Sequence, residues 1–154
     1  MPRAWRITKA KYAANAFDGE GARLNGGRWS SPGTRVVYVA ESLSLAVLEI
    51  LVHLKDTAVL ADYVVRTIDL PDAGIEVLQA DDLPPNWRAF PAPTATQAIG
   101  DRWVLEARSL ALRVPSAVTP AEFNYLVNPA HAEFAAAIIS DAIPLDVDER
   151  VFKR

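Results

Sequence analysis

A carboxylate inside an apolar helix is the first residue of this sequence that could do chemistry. Residues 43–54 are apolar at nearly every position, and Ser42 before them is a typical helix N-cap, so the pattern predicts a largely buried helix. Glu49 lies in its middle, and His53 follows one turn later on the same face. An unpaired buried carboxylate is strongly unfavourable. We therefore expect Glu49 either to pair with a buried cation or to face a cleft.

Two other interpretations of this helix are open from the pattern alone. Ser42, Glu49 and His53 could form an exposed polar stripe on a half-buried helix. Glu49 and His53, four residues apart, could also be two ligands of a zinc ion. The sequence suggests no third ligand nearby and contains no cysteine, so we expect no metal site.

Arg28 is the second candidate, because it follows the turn sequence Asn25-Gly26-Gly27. Glycines permit close backbone approach to a ligand, and a guanidinium is a planar donor suited to phosphate or carboxylate. A solvated arginine on a surface turn is the alternative. Tyr38, Ser116 and Asn128 are weaker candidates, since a strand tyrosine is usually part of the core and the other two are typical turn residues. Together these residues favour a cleft for an anionic ligand.

Composition limits the class of protein. The chain has 154 residues, of which 51% are hydrophobic and 23% charged, which is typical of one globular domain over residues 1–154. The 16 basic and 19 acidic residues give a net charge of −3, so direct DNA binding is not expected. No apolar stretch approaches the roughly 20 residues of a membrane span, and the first residues have no secretory core. We expect a cytoplasmic protein without disulfides.

The elements that must position these residues follow from local patterns. Strands are predicted at residues 3–8, 35–40, 61–70, 110–114, 123–127 and 143–152. Helices are predicted at residues 43–54 and, from a Thr94/Gln97 capping box, at residues 94–109, with a short one at 132–141. Residues 11–33 read as a loop, and the proline-rich residues 71–93 as a long irregular segment, typical of a functional or interaction region, with one short element near residues 75–78. The fold class is therefore α+β: an irregular, mostly antiparallel sheet with two main helices.

The order of these features resembles the RES domain family. The first block comprises Trp5-Arg6, residues 25–33 (NGGRWSSPG), residues 37–40 (VYVA), Leu48-Glu49 and His53. The second block comprises residues 113–118 (RVPSAV) and 124–129 (NYLVNP), and residues 148–150 (DER) resemble the closing strand of the family. The resemblance covers nearly the whole chain.

The resemblance implies the toxin of a bacterial toxin–antitoxin pair, with a fold similar to that of ADP-ribosyltransferase toxins. Its partner would be an Xre-like antitoxin, and DNA would be contacted only through that antitoxin. The activity implied is the destruction of NAD, which is the substrate, with no cofactor or metal. The resemblance assigns a catalytic role to Glu49, Arg28, Tyr38 and Ser116, and a substrate-binding role to Arg6, His53 and Asn128.

Two rival functions are open at this point. The same site could transfer ADP-ribose to a protein or a small acceptor instead of destroying NAD. Alternatively, the chain could be a non-catalytic interaction protein in which the proline-rich segment binds a partner and Glu49 forms a structural salt bridge. The sequence does not identify the nucleophile that accepts the ADP-ribose.

Overall fold

One curled sheet organises the chain. The computed structural model describes residues 1–54 and 62–151. In chain order the strands are β1 (Arg3–Lys9), β2 (Val37–Ala40), β3 (Tyr63–Asp69), β4 (Ile75–Val77), β5 (Ala111–Pro115), β6 (Phe123–Val127), β7 (Ile138–Ile139) and β8 (Ile143–Pro144). The helices are α1 (Glu20–Asn25), α2 (Leu43–Leu51) and α3 (Thr94–Glu106), and short 3-10 turns join them. The predicted α+β class is confirmed.

The strand order across the sheet is β4-β5-β6-β2-β1-β3-β7, and β8 also pairs with β3. Every pair is antiparallel except β4 with β5, which is parallel. β2 and β6, which are distant in sequence, thus become neighbours in the middle of the sheet. This pairing brings the two blocks of candidate residues together.

The sheet has two faces with different coverings. Helices α2 and α3 cover the face that carries Tyr38, Asn124 and Leu126, and we call it the front face. The rear face carries Val37, Val39 and Val127, and the segment around Phe17 packs on it. Because strand side chains alternate between faces, the register alone decides which polar residues meet on the front face.

Three predicted elements in the first two thirds of the chain differ from the structure. Residues 11–33 are not wholly a loop, because they contain α1 and part of a 3-10 turn. Ser42 does cap α2, accepting a hydrogen bond from the Leu45 amide at 3.1 Å, but α2 ends at Leu51 and its far side is open to solvent. The capping box at Thr94 is wrong: Pro93 is the N-cap of α3, and it has no side chain to accept a hydrogen bond from the first turn.

The last third of the chain is more irregular than predicted. The predicted helix at residues 132–141 is a 3-10 turn over Ala132–Ala136 followed by β7, and the predicted closing strand shrinks to β8. The short element expected near residues 75–78 is β4. Residue 61 of the third predicted strand and residue 152 of the last lie outside the described residues. In the described part of the chain, no helix is long and apolar enough to cross a membrane.

Candidate active site

Glu49 is held on the front face by two neutral donors. Its Oε1 accepts hydrogen bonds from Ser116 Oγ at 2.7 Å and from Asn124 Nδ2 at 2.8 Å. Among the described residues, none donates to Oε2 and no cation forms an ion pair with Glu49. The two neutral donors therefore orient the carboxylate without neutralising it by an ion pair, and they leave one oxygen available to a ligand.

Ser116 is a fixed donor to this carboxylate. It is fully buried at the end of β5, and its Oγ accepts hydrogen bonds from the amides of Val118 and Thr119, both at 3.1 Å. A hydroxyl has one proton and two acceptor sites. Because both acceptor sites are used by the turn, the proton is directed to Glu49.

Arg28 lies on a tight turn that the first residues of α3 fasten in place. The Gly27 amide donates to the Ser30 carbonyl at 2.9 Å, which closes the turn. Thr96 Oγ1 donates to the Arg28 carbonyl at 2.6 Å, and Gln97 Nε2 donates to the Gly27 carbonyl at 3.2 Å. The backbone below the Arg28 side chain is thus fixed before any ligand binds.

The Arg28 side chain faces both the site and the proline-rich segment. Its Nη1 donates to the carbonyls of Trp87 and Ala89, both at 2.8 Å. Burial lowers the pKa of the guanidinium below its usual value, and the nearby Glu49 carboxylate opposes that change. An arginine keeps its charge at any physiological pH, so Arg28 and Glu49 are a nearby cation and anion that form no ion pair in the described part of the chain.

Tyr38 lies beneath the Arg28 turn on the front face of β2. Its hydroxyl accepts a hydrogen bond from the Trp29 amide at 3.2 Å and shares one of 2.7 Å with Ser30 Oγ. Burial raises the pKa of this hydroxyl to about 12, so it is neutral at physiological pH. A Cβ on Gly27 would lie 2.6 Å from the hydroxyl oxygen. Gly27 is therefore needed for the close approach of the turn to Tyr38.

The structure brings four of the seven predicted residues together, namely Arg28, Tyr38, Glu49 and Ser116, and places the other three elsewhere. His53 is exposed in the turn after α2, because the helix ends before the further turn that would align it with Glu49. Arg6 lies on the rear face, where Nε donates to the Ala16 carbonyl at 2.6 Å and Nη1 to the Tyr38 carbonyl at 3.0 Å. A substrate-binding role for either residue stays a prediction.

The structure places Asn124 beside Glu49 and Asn128 away from it, so the substrate-binding role of Asn128 stays a prediction. Asn128 is buried at the far end of β6, roughly 13 Å along the strand from Asn124, and its Oδ1 accepts from the Ala130 amide in a turn. Asn124 is the residue that contacts Glu49, and the sequence analysis did not select it. The only signal for it was its position in the second block of the resemblance, because asparagine is a common turn residue and both positions look like turns.

The described residues contain no group of three or more His, Asp or Glu side chains that could hold a metal ion. The arrangement consists of a carboxylate with one oxygen that no described residue contacts, a guanidinium held by two carbonyls, and the Tyr38 ring beneath the turn that carries the guanidinium. It can bind an anion at one end and stabilise positive charge at the other.

Comparison with known proteins identifies the family. The model of the RES domain matches residues 3–148. The chain belongs to the RES domain family. It is 41% identical over 150 residues to a protein of Photorhabdus laumondii named Toxin Res, covering 97% of this chain and 96% of that one. It is 40% identical over 134 residues to the Prs ADP-ribosylating toxin of a Sphingobium species, covering 84% of this chain and 83% of that one.

A solved structure supports the fold of this RES domain. The crystal structure of the Mycobacterium tuberculosis MbcT–MbcA toxin–antitoxin complex contains a chain that superposes with a TM-score of 0.76. The superposition covers 94% of this chain and 84% of that one, at 21% sequence identity. At this identity the similarity establishes the shared fold alone. The assignment to the RES domain family rests on the family match and on the more similar relatives.

Proposed function

We propose that this RES-domain protein is the toxin of a toxin–antitoxin pair and that it destroys NAD by cleaving the bond between nicotinamide and ribose. The family match and the relatives named as toxins support the first part. The observation that carries the second part is the charged Glu49 with its free Oε2 across from Arg28. A dinucleotide offers a group to each of these residues, because its pyrophosphate is anionic and its reacting ribose develops positive charge.

The chemistry demands little acid catalysis. As the glycosidic bond breaks, its electron pair leaves with the nicotinamide, whose positive charge is thereby neutralised, and the ribose develops oxocarbenium character. A nucleophile, water or phosphate, then bonds to the anomeric carbon and gives up a proton to solvent. The enzyme must orient the ribose and stabilise its positive charge.

Each residue of the site has a task in this reaction. Glu49 Oε2 accepts a hydrogen bond from a ribose hydroxyl, and the carboxylate stabilises the developing charge. Ser116 and Asn124 hold Oε1 and thereby keep the second oxygen directed at the sugar. Tyr38 supplies an aromatic wall for the nicotinamide ring. Arg28 has Nε and Nη2 without partners among the described residues, and these atoms bind the pyrophosphate.

The decisive experiment compares Glu49→Gln with the parent protein. Purified protein is incubated with NAD, with and without phosphate, and the products are identified by mass spectrometry. We expect Glu49→Gln to slow NAD loss at least about 100-fold while circular dichroism stays unchanged, because the amide cannot stabilise the cation. Glu106→Gln, on an exposed glutamate of α3, is the matched control. NAD consumption by Glu49→Gln at the parental rate would refute the proposed role.

Transfer of ADP-ribose to a protein is a second candidate function. It is favoured by one specific finding, the 40% identity to a relative named an ADP-ribosylating toxin. The same site would form the same cation, and an acceptor side chain would replace water or phosphate. Mass spectrometry of cell extract incubated with the protein and NAD distinguishes the two, because transfer adds an ADP-ribose mass to a protein.

A non-catalytic role is less well supported. It requires Glu49 to form a structural salt bridge, whereas its recorded partners are a serine and an asparagine.

We also propose an Xre-like antitoxin as the partner, which would bind DNA on behalf of the pair. Expression of the chain alone should arrest growth and lower the cellular NAD level. Co-expression of the antitoxin should restore growth and the NAD level.

A further inference from the structure

The proline-rich segment carries a second arginine into the site. We call residues 87–90 the flap. Its first residue, Trp87, is anchored because the Trp87 ring stacks on the Trp29 ring with centroids 6.2 Å apart. Arg28 Nη1 anchors the flap backbone through the carbonyls of Trp87 and Ala89. Arg88 therefore extends from a backbone that is fixed on both sides of it.

Arg88 reaches from the Arg28 side of the site to the Ser116 side. Its Nε donates to the Ala117 carbonyl at 3.1 Å. Ala117 directly follows Ser116, which donates to Glu49. The flap thus joins the turn that carries Arg28 to the turn that orients the carboxylate, and it places a guanidinium between the two.

The positive charges of the two arginines are only partly offset, by the Glu49 carboxylate near Arg28. Among the described residues, neither Arg28 nor Arg88 forms an ion pair. Burial is the main cause of the lowered pKa of Arg28, and the charge of Arg88 adds a smaller contribution in the same direction. Holding two like charges near each other is unfavourable unless an anion lies between them. Guanidinium groups bind phosphate oxygens with paired, charge-assisted hydrogen bonds.

We propose that Arg88 is a specificity-determining residue that binds the pyrophosphate together with Arg28. This inference rests on the proposed function for its substrate and adds the flap to the site. The bond that breaks is at the ribose, away from the phosphates. Arg88 therefore contributes to the affinity for a ligand with a diphosphate, and it does not contribute to the chemical step.

The test separates binding from chemistry with the full-length protein. Arg88→Gln should raise the KM for NAD roughly 10- to 100-fold, which is the range a charge-assisted hydrogen bond supplies, while kcat stays within about twofold. Calorimetry should give the same factor in the Kd of ADP, a nucleoside diphosphate with no bond to cleave. Arg88→Lys keeps the charge and should recover part of both losses. Arg102→Gln, on an exposed arginine of α3 that forms no ion pair with any described residue, should change neither.

The possible outcomes are distinct. Unchanged KM for NAD and unchanged Kd of ADP in Arg88→Gln would overturn the proposal, as would a fall in kcat alone. If the parent protein does not consume NAD, the proposed function fails. The ADP measurement then decides separately whether Arg88 belongs to a diphosphate site.

Discussion

Neutral donors determine how the charge of Glu49 can be used. Ser116 and Asn124 orient one oxygen, and neither cancels the negative charge as an arginine in an ion pair would. In the reaction that we propose, the carboxylate therefore keeps its full charge to stabilise the developing cation. The donors are placed at folding, so little reorganisation would be needed when charge appears on the sugar, which is electrostatic preorganisation.

Sequence reasoning found Glu49 for a partly incorrect reason. The helix was expected to be buried nearly all round, whereas Leu48 is 38% and Val52 58% exposed. What remains valid is that a carboxylate on the inward side needs partners. Those partners could not be predicted, because Asn124 is 75 residues away and reaches Glu49 only through the pairing of β6 with β2. The Gly-Gly turn before Arg28, in contrast, was visible in the sequence itself.

Tyr38 gives a prediction about alkaline pH. Its pKa is 10 in the unfolded chain and about 12 in the folded protein, so the unfolded chain loses its proton first. The contribution to stability is complete below pH 10 and is lost as pH rises from about 10 to about 12. Linkage gives a loss of roughly 2–3 kcal/mol for such a shift. The free energy of unfolding of Tyr38→Phe should therefore fall less steeply with pH than that of the parent protein.

The measurement is urea unfolding at several pH values between 8 and 12. Tyr12→Phe, at an exposed tyrosine, is the matched control. Tyr38→Phe should also be less stable than the parent at pH 8, because the Trp29 amide and Ser30 lose a partner. A stability curve for Tyr38→Phe that runs parallel to the parent's above pH 10 would contradict the buried, neutral hydroxyl.

At the scale of elements, the site depends on how closely α3 approaches the Arg28 turn. Gly100 makes this approach possible, although in the sequence it looks only like a weak point of the helix. A Cβ at this position would lie 1.7 Å from the Trp29 carbonyl oxygen. The internal glycine lowers the helix propensity of α3, and it permits direct contact between the helix and the turn. A single sequence cannot reveal this, because the contact is made by the backbone of Trp29, 71 residues earlier in the chain.

Gly100→Ala should destabilise the protein by at least about 2 kcal/mol, because a backbone carbonyl cannot move aside as a flexible side chain can. Helix propensity alone would predict the opposite, a gain of up to about 1 kcal/mol. Gly21→Ala in α1 is the matched control, since a Cβ there meets nothing within 4 Å. Equal effects of the two substitutions in thermal unfolding would show that the close packing of α3 does not exist in solution.

At the scale of the whole molecule, the sheet separates a front face for chemistry from a rear face for structure. Local patterns predicted β1, β2, β3, β5 and β6 within a few residues, and all of these except β5 are rich in β-branched or aromatic residues. Their order across the sheet was not predictable, since it depends on contacts between distant segments. Without the order, the face of Arg6 was unknown. In the structure its guanidinium joins the Ala16 carbonyl to the backbone of Tyr38 from the rear.

Arg6→Gln tests this division of the sheet into two faces. The substitution leaves two carbonyls without their charged donor, so the free energy of unfolding should fall by about 1–3 kcal/mol. The control is Arg3→Gln, on the same strand as Arg6. It removes an exposed ion pair with Asp69 of β3 and should have little effect. The substrate-binding role that the family resemblance implies makes a different prediction for Arg6→Gln, namely a higher KM for NAD at unchanged stability. Urea unfolding and steady-state kinetics on the same preparations decide between the two, because a residue on the rear face can reach the reaction only through the fold.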